Sequence, residues 1–263
     1  MATRAAPILE RILDARRAAV SRLQKSGSSA GLEERARGAP VARDFRRAIS
    51  GSDPALIAEC KQRSPSAGAL QLTYDPVRLA QRYAAGGAAA ISVLTEPEFF
   101  GGSMDHLRSV RQAVELPVLC KDFIVDRLQL LEARAAGADA VLLIVAVLDE
   151  NTLPSLHSAA LELGLQALVE VHDEAEVERA LALKPAMIGI NNRDLTRMRT
   201  ESGTTARLRP LIPVEQTVVS ESGIQSRADM IALRRAGVDA ALVGESLLRA
   251  SNLEDKLREL TGR

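Results

Sequence analysis

The sequence predicts an α/β protein built as a single (β/α)8 TIM barrel with an N-terminal helical extension. A strand-then-helix pattern recurs eight times along the chain. The 263 residues are close to the about 250 that eight such units need. The Gly-x-Gly-x-x-Gly turn of doubly wound sheets, the main competing fold, does not follow the first predicted strand. We therefore expect residues 1–50 to form a helical extension packed on the barrel and residues 51–263 to form the catalytic barrel.

Each predicted strand is a short apolar run, and several helices before the strands end at a glycine. The expected strands are 55–61, 88–94, 117–121, 139–146, 166–171, 186–191, 216–221 and 239–243. The helices expected between and after them are 75–86, 104–115, 126–136, 149–163, 173–183, 203–211, 226–236 and 246–260. Three further helices are expected in the extension, at 8–24, 32–37 and 43–50. This alternating order implies a parallel sheet with helices outside it.

Composition argues against macromolecular or membrane partners. Lys+Arg and Asp+Glu are both 34, and the chain has no Trp and few other aromatic residues. Neither a strong field nor an aromatic platform for nucleic acid is therefore expected. The N-terminus lacks the apolar stretch of a signal peptide, and the longest apolar run, 138–148, is too short to span a bilayer. We expect a cytoplasmic monomer in which Cys60 and Cys120 are buried free thiols facing the helices.

Polar side chains recur at the carboxyl ends of five predicted strands, and in a barrel such ends converge on one pocket. With the period of two that strands impose, the residues pointing into this pocket are Glu59, Lys61, Lys121, Glu170, Asn191, Arg193 and Glu221. A structural ion-pair network explains any one pair equally well. Charges at five strand ends on the same side favour catalysis. Lysines whose pKa is lowered by neighbouring cations or by burial would act as general acids, and a glutamate as general base.

Other catalytic chemistries find little support in the sequence. No Ser or Cys nucleophile has an adjacent histidine, and no His/Cys/Asp cluster has the spacing of a metal site. We expect His172 to be a surface or helix-start residue. The predicted reaction therefore consists of proton transfers and needs neither a metal nor a cofactor.

Two glycine turns predict a phosphate site. Ser222-Gly223 follows the seventh strand, and Gly244-Glu245 follows the eighth. Such turns expose backbone N–H groups, and barrels frequently bind phosphate with these two loops. The substrate is therefore expected to be a small molecule that carries a phosphate at one end.

Nine stretches, in order over about residues 8–260, carry a family resemblance. They are Glu59–Ser66, Ser92–Glu96, Phe99–Ser103, Leu119–Asp126, Ala135–Ile144, Leu168–His172, Gly189–Leu195, Ser220–Ile224 and Leu242–Leu247. Together they resemble indole-3-glycerol-phosphate synthase of tryptophan biosynthesis. That resemblance implies ring closure of 1-(2-carboxyphenylamino)-1-deoxyribulose 5-phosphate, with release of CO2 and water, by a carbon–carbon lyase.

The resemblance also implies roles for the pocket residues. Lys121 would protonate the ribulose carbonyl oxygen, and Glu170 would stabilise developing positive charge or act as base. Lys61 with Glu59 would handle the anthranilate carboxylate and the later dehydration. The positions implied for positioning or for substrate binding are Asn191 and Glu221 with Arg193 nearby, Ser64, Ser222, Gly223, Gly244 and Glu245 around the phosphate, and Pro65, Phe123 and Leu142 around the aryl ring.

Two loops depart from the commoner family pattern. Ala67 stands where many members have Lys, and Thr200–Thr205 replaces a more usual apolar-acidic stretch.

The alternative interpretations of the sequence are another phosphate-binding barrel enzyme, such as phosphoribosylanthranilate isomerase or a Schiff-base aldolase, and a non-catalytic barrel that binds a phosphorylated ligand. We also hypothesise that the first helix covers the mouth of the pocket.

Overall fold

Eight parallel strands close into a barrel in the computed structural model, which describes residues 8–25, 27, 29–51, 53–64, 68–69, 74–194, 199–201 and 203–263. The strands are β1 (Ala55–Cys60), β2 (Ala90–Leu94), β3 (Val118–Lys121), β4 (Ala140–Ile144), β5 (Gln166–Val171), β6 (Met187–Asn191), β7 (Thr217–Glu221) and β8 (Ala240–Val243). Each pairs with its neighbours in sequence, and β1 pairs with β8 to close the ring. All eight predicted strands and the predicted TIM barrel are confirmed.

Alternate residues of each strand face two different apolar layers. Inside the barrel lie Ile57, Ala90, Leu119, Ala140, Leu142, Leu168, Met187, Val219, Ala240 and Leu242. The residues between them pack against the surrounding helices in a second, larger cluster. Burying each large side chain of these layers contributes roughly 1.5–3 kcal/mol. Cys60 and Cys120 belong to the outer layer and are buried free thiols, as predicted.

The helices outside the barrel follow the predicted order, with one short helix at Pro97–Phe100 that was not predicted. They are α4 (Pro76–Ala85), α5 (Pro97–Phe100), α6 (Met104–Ala113), α7 (Arg127–Ala136), α8 (Thr152–Glu162), α9 (Glu174–Ala182), α10 (Thr204–Leu208), α11 (Arg227–Arg235), α12 (Glu245–Leu248) and α13 (Leu253–Thr261). Capping explains many of the boundaries: α4 begins after Asp75, whose side chain accepts from the N–H of Arg78, and Pro76 occupies the first helical position.

Two predicted helices near the C-terminus have different bounds. The single helix expected at 246–260 is wrong, because α12 ends at Leu248 and Asn252 caps a new helix, α13, by accepting from the N–H of Asp255. The helix expected at 203–211 is α-helical only over α10. It continues as a 3₁₀ turn over Arg209–Leu211, where Pro210 has no N–H for an α-helical bond.

Three helices precede the barrel: α1 (Ile8–Lys25), α2 (Ser29–Arg37) and α3 (Phe45–Ile49). Phe45 and Ile49 of α3 are fully buried against the apolar residues inside the barrel. Arg46 ties this helix to the beginning of β7, since its Nε donates to Thr217 Oγ1 at 3.1 Å. The helix therefore closes the amino-terminal end of the barrel, which leaves the carboxyl end as the open face. In the part of the chain that the structure describes, no helix has both the length and the apolar character to span a membrane.

Candidate active site

A cavity of about 1040 Å³ lies at the carboxyl ends of the strands. Every predicted site residue among the described residues lines it, and Pro65 lies outside the described residues. Those lining it are Glu59, Lys61, Ser64, Lys121, Phe123, Leu142, Glu170, Asn191, Arg193, Glu221, Ser222, Gly223, Gly244 and Glu245. Ala67, one of the two departures from the family pattern, also falls outside the described residues.

Glu59 and Lys61 form an ion pair at the end of β1. The Nζ of Lys61 lies 2.5 Å from Glu59 Oε1, and both side chains are largely buried. The nearby lysines hold the pKa of Glu59 below its ordinary value, although burial alone would raise it. Gly244 makes room for this carboxylate, since a Cβ at that position would lie 2.4 Å from Glu59 Oε1. The β8 turn and the β1 carboxylate are therefore packed against each other.

Lys121 lies between two buried carboxylates. Its Nζ is 2.8 Å from Glu221 Oε2 and 3.4 Å from Glu170 Oε2. Burial lowers the pKa of Lys121, but Glu221, Glu170 and Glu59 outweigh burial and raise it above the ordinary value. The expectation that cations or burial would lower a lysine pKa is thus wrong for Lys121. This lysine is fully protonated in the free pocket, which is the form that can donate a proton.

The two carboxylates around Lys121 have pKa values that differ strongly. Burial raises the pKa of Glu221 to about 7. The Lys121 ammonium opposes this rise, and repulsion from Glu170 adds to it. The pKa of Glu170 falls to about 2, since Lys121 and His172 together outweigh its burial. Two neighbouring carboxyl groups with separated pKa values suit different roles in one reaction. Glu170 is a permanent anion, whereas Glu221 titrates near neutrality.

Asn191 and its neighbour Asn192 organise the adjoining turn. Asn191 Oδ1 accepts from the N–H of Arg193 at 3.0 Å and from Ser222 Oγ at 2.8 Å. Asn192 Nδ2 donates to the carbonyl oxygens of Glu221 and Ser222, both at 2.9 Å. Ser222 itself has φ of 65°, a left-handed conformation that non-glycine residues rarely adopt. These bonds hold the strained turn that carries the predicted phosphate site.

The opposite wall of the cavity is apolar. Phe123 and Leu142 line it as predicted, and the rings of Phe100 and Phe123 have centroids 6.0 Å apart. Leu9 and Ile12 of α1 line the same cavity, which supports the hypothesis that this helix covers the pocket. An aryl ring placed here would pack against this apolar wall on one side and face the charged side chains at the strand ends on the other.

Comparison with known proteins identifies the family. The family model described as indole-3-glycerol phosphate synthase matches residues 9–260. The chain belongs to the indole-3-glycerol phosphate synthase family. A synthase of this name from a Roseiflexus species is 48% identical over 97% of this chain and 98% of its own length. Another from a Nocardioides species is 50% identical over 83% of this chain and 89% of its own. Family members are carboxy-lyases of tryptophan biosynthesis that act on a phosphorylated small molecule, and this chain has the activity of its family.

Solved structures agree on the fold. Thiamine phosphate pyrophosphorylase from Pyrococcus furiosus superposes with a TM-score of 0.62 at 16% identity, covering 83% of this chain and 96% of that one. A structure of the tryptophan synthase α2β2 complex from Pyrococcus furiosus gives a TM-score of 0.60 at 14% identity, covering 81% and 99%. At such identities the likeness extends to the barrel alone.

Sequence reasoning missed three features of this pocket. His172 stands at the start of α9, directly before its cap Asp173, as one of the two expectations had it, but it is not a surface residue: its side chain is 13% exposed and its Nε2 lies 3.3 Å from Glu170 Oε1. Its position two residues beyond Glu170 on an alternating strand was the available signal. Asn192 and Phe100 were the other two, and neither follows the period-two pattern of inward-facing strand residues. No group of three His, Cys, Asp or Glu side chains suited to a metal occurs among the described residues.

Proposed function

We propose that Lys121 and the surrounding carboxylates close the indole ring of 1-(2-carboxyphenylamino)-1-deoxyribulose 5-phosphate. The observation that carries this assignment is a protonated lysine held between two buried glutamates, facing an apolar wall. The aryl carbon that bears the carboxylate attacks the ribulose C2 carbonyl, and the Lys121 ammonium donates a proton to the carbonyl oxygen. Glu170, ionised throughout, stabilises the positive charge that develops on the aniline nitrogen and ring.

The later steps fall to the β1 pair and the reprotonated lysine. Loss of CO2 from the attacking ring carbon restores the aromatic system, and the Lys61–Glu59 pair contacts the departing carboxylate. Departure of the protonated hydroxyl as water, with loss of a proton from the former ribulose C1 carbon, then forms the carbon–carbon double bond of the indole, which keeps its N–H. Asn191 and Glu221 position Glu170 and Lys121, with Arg193 nearby. The turns at Ser222-Gly223 and Gly244-Glu245, with Ser64, hold the phosphate mainly through backbone N–H groups.

The assignment extends to the organisation of the protein. We propose that residues 1–50 are a helical extension and residues 51–263 the catalytic barrel. The protein is proposed to act as a monomer. The two free buried thiols suit a reducing cytoplasm. Pro65 is proposed to join the wall around the aryl ring.

The experiment that tests this function is direct turnover of the synthetic substrate. The chain has no Trp, so indole fluorescence of the product rises over a weak background. We expect indole-3-glycerol phosphate and CO2 to form in a 1:1 ratio. Covalent trapping of substrate on Lys61 or Lys121 by borohydride would instead favour the Schiff-base aldolase. Absence of turnover, with binding of the substrate intact, would favour the non-catalytic barrel.

The titration of Glu221 predicts a pH dependence. Because its pKa is raised to about 7, its negative charge and its ion pair with Lys121 are lost as the pH falls through 7. We expect kcat/KM to be near its plateau at about pH 8 and to decline as the pH falls through 7. Glu221→Gln should have a lower kcat/KM and lack this limb, measured over pH 5.5–8.5. Persistence of the same limb in Glu221→Gln would assign it to another group.

A further inference from the structure

The imidazole of His172 lies between two carboxylates. Its Nε2 is 3.3 Å from Glu170 Oε1 on β5, and its Nδ1 is 2.9 Å from Glu176 Oε2 on α9. Glu176 Oε2 also accepts from the backbone N–H of His172 at 2.8 Å. The three side chains therefore form a line that begins outside the pocket and ends at Glu170.

The connection between β5 and α9 holds these three side chains in place. β5 ends at Val171, and Asp173 caps α9 by accepting from the N–H of Glu176. The short connection places Glu176 within reach of both the backbone and the ring of His172. With the Nδ1 side of the ring bonded to Glu176, Nε2 faces Glu170. Neither His172 Nε2 nor Glu170 Oε1 forms an aligned hydrogen bond with any described residue, and the two atoms face each other as an ion pair at 3.3 Å.

The protonation state of the ring follows from this geometry. A neutral imidazole has one N–H donor and one lone pair, so one of the two carboxylates would face a lone pair. Only the imidazolium donates in both directions. Burial lowers the pKa of His172, but Glu170 and Glu176, the two titratable groups that face it, outweigh burial and raise the pKa to about 10. His172 is thus a buried cation near neutral pH.

We propose that Glu176 and His172 act as a positioning pair that supplies Glu170 with a cation of its own. This inference rests on the proposed function, because it concerns the moment when Lys121 gives up its proton. Lys121 is shared between Glu170 and Glu221, and it becomes neutral when it protonates the carbonyl oxygen. Without His172, Glu170 would then be a buried carboxylate with no charged partner, and proton uptake would be favoured.

Lys121 and His172, the two cations that contact Glu170, therefore have different roles. Lys121 Nζ contacts Oε2, and His172 Nε2 contacts Oε1, so each oxygen faces one cation. Lys121 is the group that transfers the proton. The imidazolium stays charged because Glu176 faces its other nitrogen, and it keeps Glu170 ionised and in one orientation through the whole cycle.

The test compares His172→Leu and Glu176→Gln in the full-length protein, with His106→Leu as a matched control. His106 packs edge-on against Tyr74 and does not line the cavity. We expect His172→Leu to lower kcat by about 10- to 100-fold, the usual effect of losing a group that orients a functional residue, with KM changed less. Glu176→Gln, which keeps the shape of the side chain, should lower kcat severalfold. His106→Leu should retain normal activity.

Two further measurements separate positioning from a structural role. Removing the cation should raise the pKa of Glu170. In a Glu221→Gln background, which lacks the limb assigned to Glu221, adding His172→Leu should therefore move the acid limb of Glu170 up toward the range of pH 5.5–8.5. In a Glu170→Gln background, adding His172→Leu should change kcat/KM by less than about twofold, because His172 acts through Glu170. Thermal unfolding of each variant reports whether the fold is intact, and Glu176→Gln serves if His172→Leu unfolds.

The outcomes are distinguishable. Normal kcat and an unchanged acid limb in a folded His172→Leu or Glu176→Gln, with a strongly reduced but measurable kcat in Glu170→Gln, would overturn this inference and leave the proposed function intact. Equal losses from His172→Leu in the wild-type and Glu170→Gln backgrounds would also overturn it. Normal activity in Glu170→Gln would contradict the proposed role of Glu170 itself. Histidine NMR adds a direct check, since His172 is one of only three histidines and should not titrate between pH 6 and 8.

Discussion

Replacing Lys121 by methionine is expected to lower kcat by a factor of about 10²–10⁴, the usual contribution of a general acid. Methionine keeps most of the length of the side chain but has no proton to donate. The loss should be in kcat more than in KM, because the residues proposed to contact the phosphate and the aryl ring lie elsewhere in the cavity. Single-turnover rates of indole formation measure the effect on the chemical step directly.

Lys25→Met is the matched control for this substitution. Lys25 lies at the exposed end of α1, and its replacement should leave kcat unchanged. Lys121→Arg adds a second comparison, since it keeps the positive charge between Glu170 and Glu221 but donates a proton far less readily. A variant Lys121→Met that folds and turns over at the wild-type rate would refute the role of Lys121. Full activity in Lys121→Arg would indicate that charge alone is needed.

Replacing Arg16 by methionine is expected to destabilise the protein by about 3–5 kcal/mol, the usual cost of breaking a buried ion pair. Arg16 Nε lies 3.0 Å from Asp122 Oδ1, and both side chains are almost fully buried. Asp122 also accepts from Thr95 Oγ1 at 2.6 Å and from the N–H of Phe123 at 2.7 Å. Methionine would leave this carboxylate buried without its cation. Thermal unfolding should show a Tm lower by on the order of 10 °C.

The deficit should depend on pH with a definite sign. Burial raises the pKa of Asp122 even with Arg16 present, and loss of Arg16 should raise it further. A carboxyl group with a raised folded-state pKa destabilises the fold above that pKa, so the deficit of Arg16→Met should be larger at pH 8 than at pH 5. Arg17→Met is the control: Arg17 is 61% exposed in its pair with Asp14, and its loss should cost well under 1 kcal/mol. Equal stability of the two variants would contradict this account.

The catalytic consequence of the same ion pair follows from its position. Asp122 lies between Lys121 and Phe123 in the chain, and Arg16 lies on α1 beyond the barrel. The pair therefore connects the first helix to the strand end that carries Lys121, the proposed general acid. Arg16→Met should lower kcat as well as stability, because a shift of β3 displaces the Lys121 ammonium from its partners.

Much of the site could be predicted because strands alternate their side chains. Glu59 and Lys61 had to share a face, and Lys121, Glu170 and Glu221 each ended an apolar run. Eight such runs specify a barrel, and a barrel brings strand ends together. The break between α12 and α13 shows the limit of this reasoning. A single helix was predicted across the residues between Leu248 and Leu253, but Asn252 caps a new helix there.

What the chain determined by itself is the fold, the end of the barrel that reacts and the kinds of groups found there, since these depend on periodicity and local turn chemistry. What only the tertiary structure decided is which charges are neighbours. The raised pKa of Lys121, the imidazolium behind Glu170 and the Arg16–Asp122 pair all depend on the separation of atoms from distant segments. Electrostatic energies vary inversely with that separation and with the local dielectric. A pattern of residue types specifies neither quantity, so the direction of a pKa shift could be determined only from the folded structure.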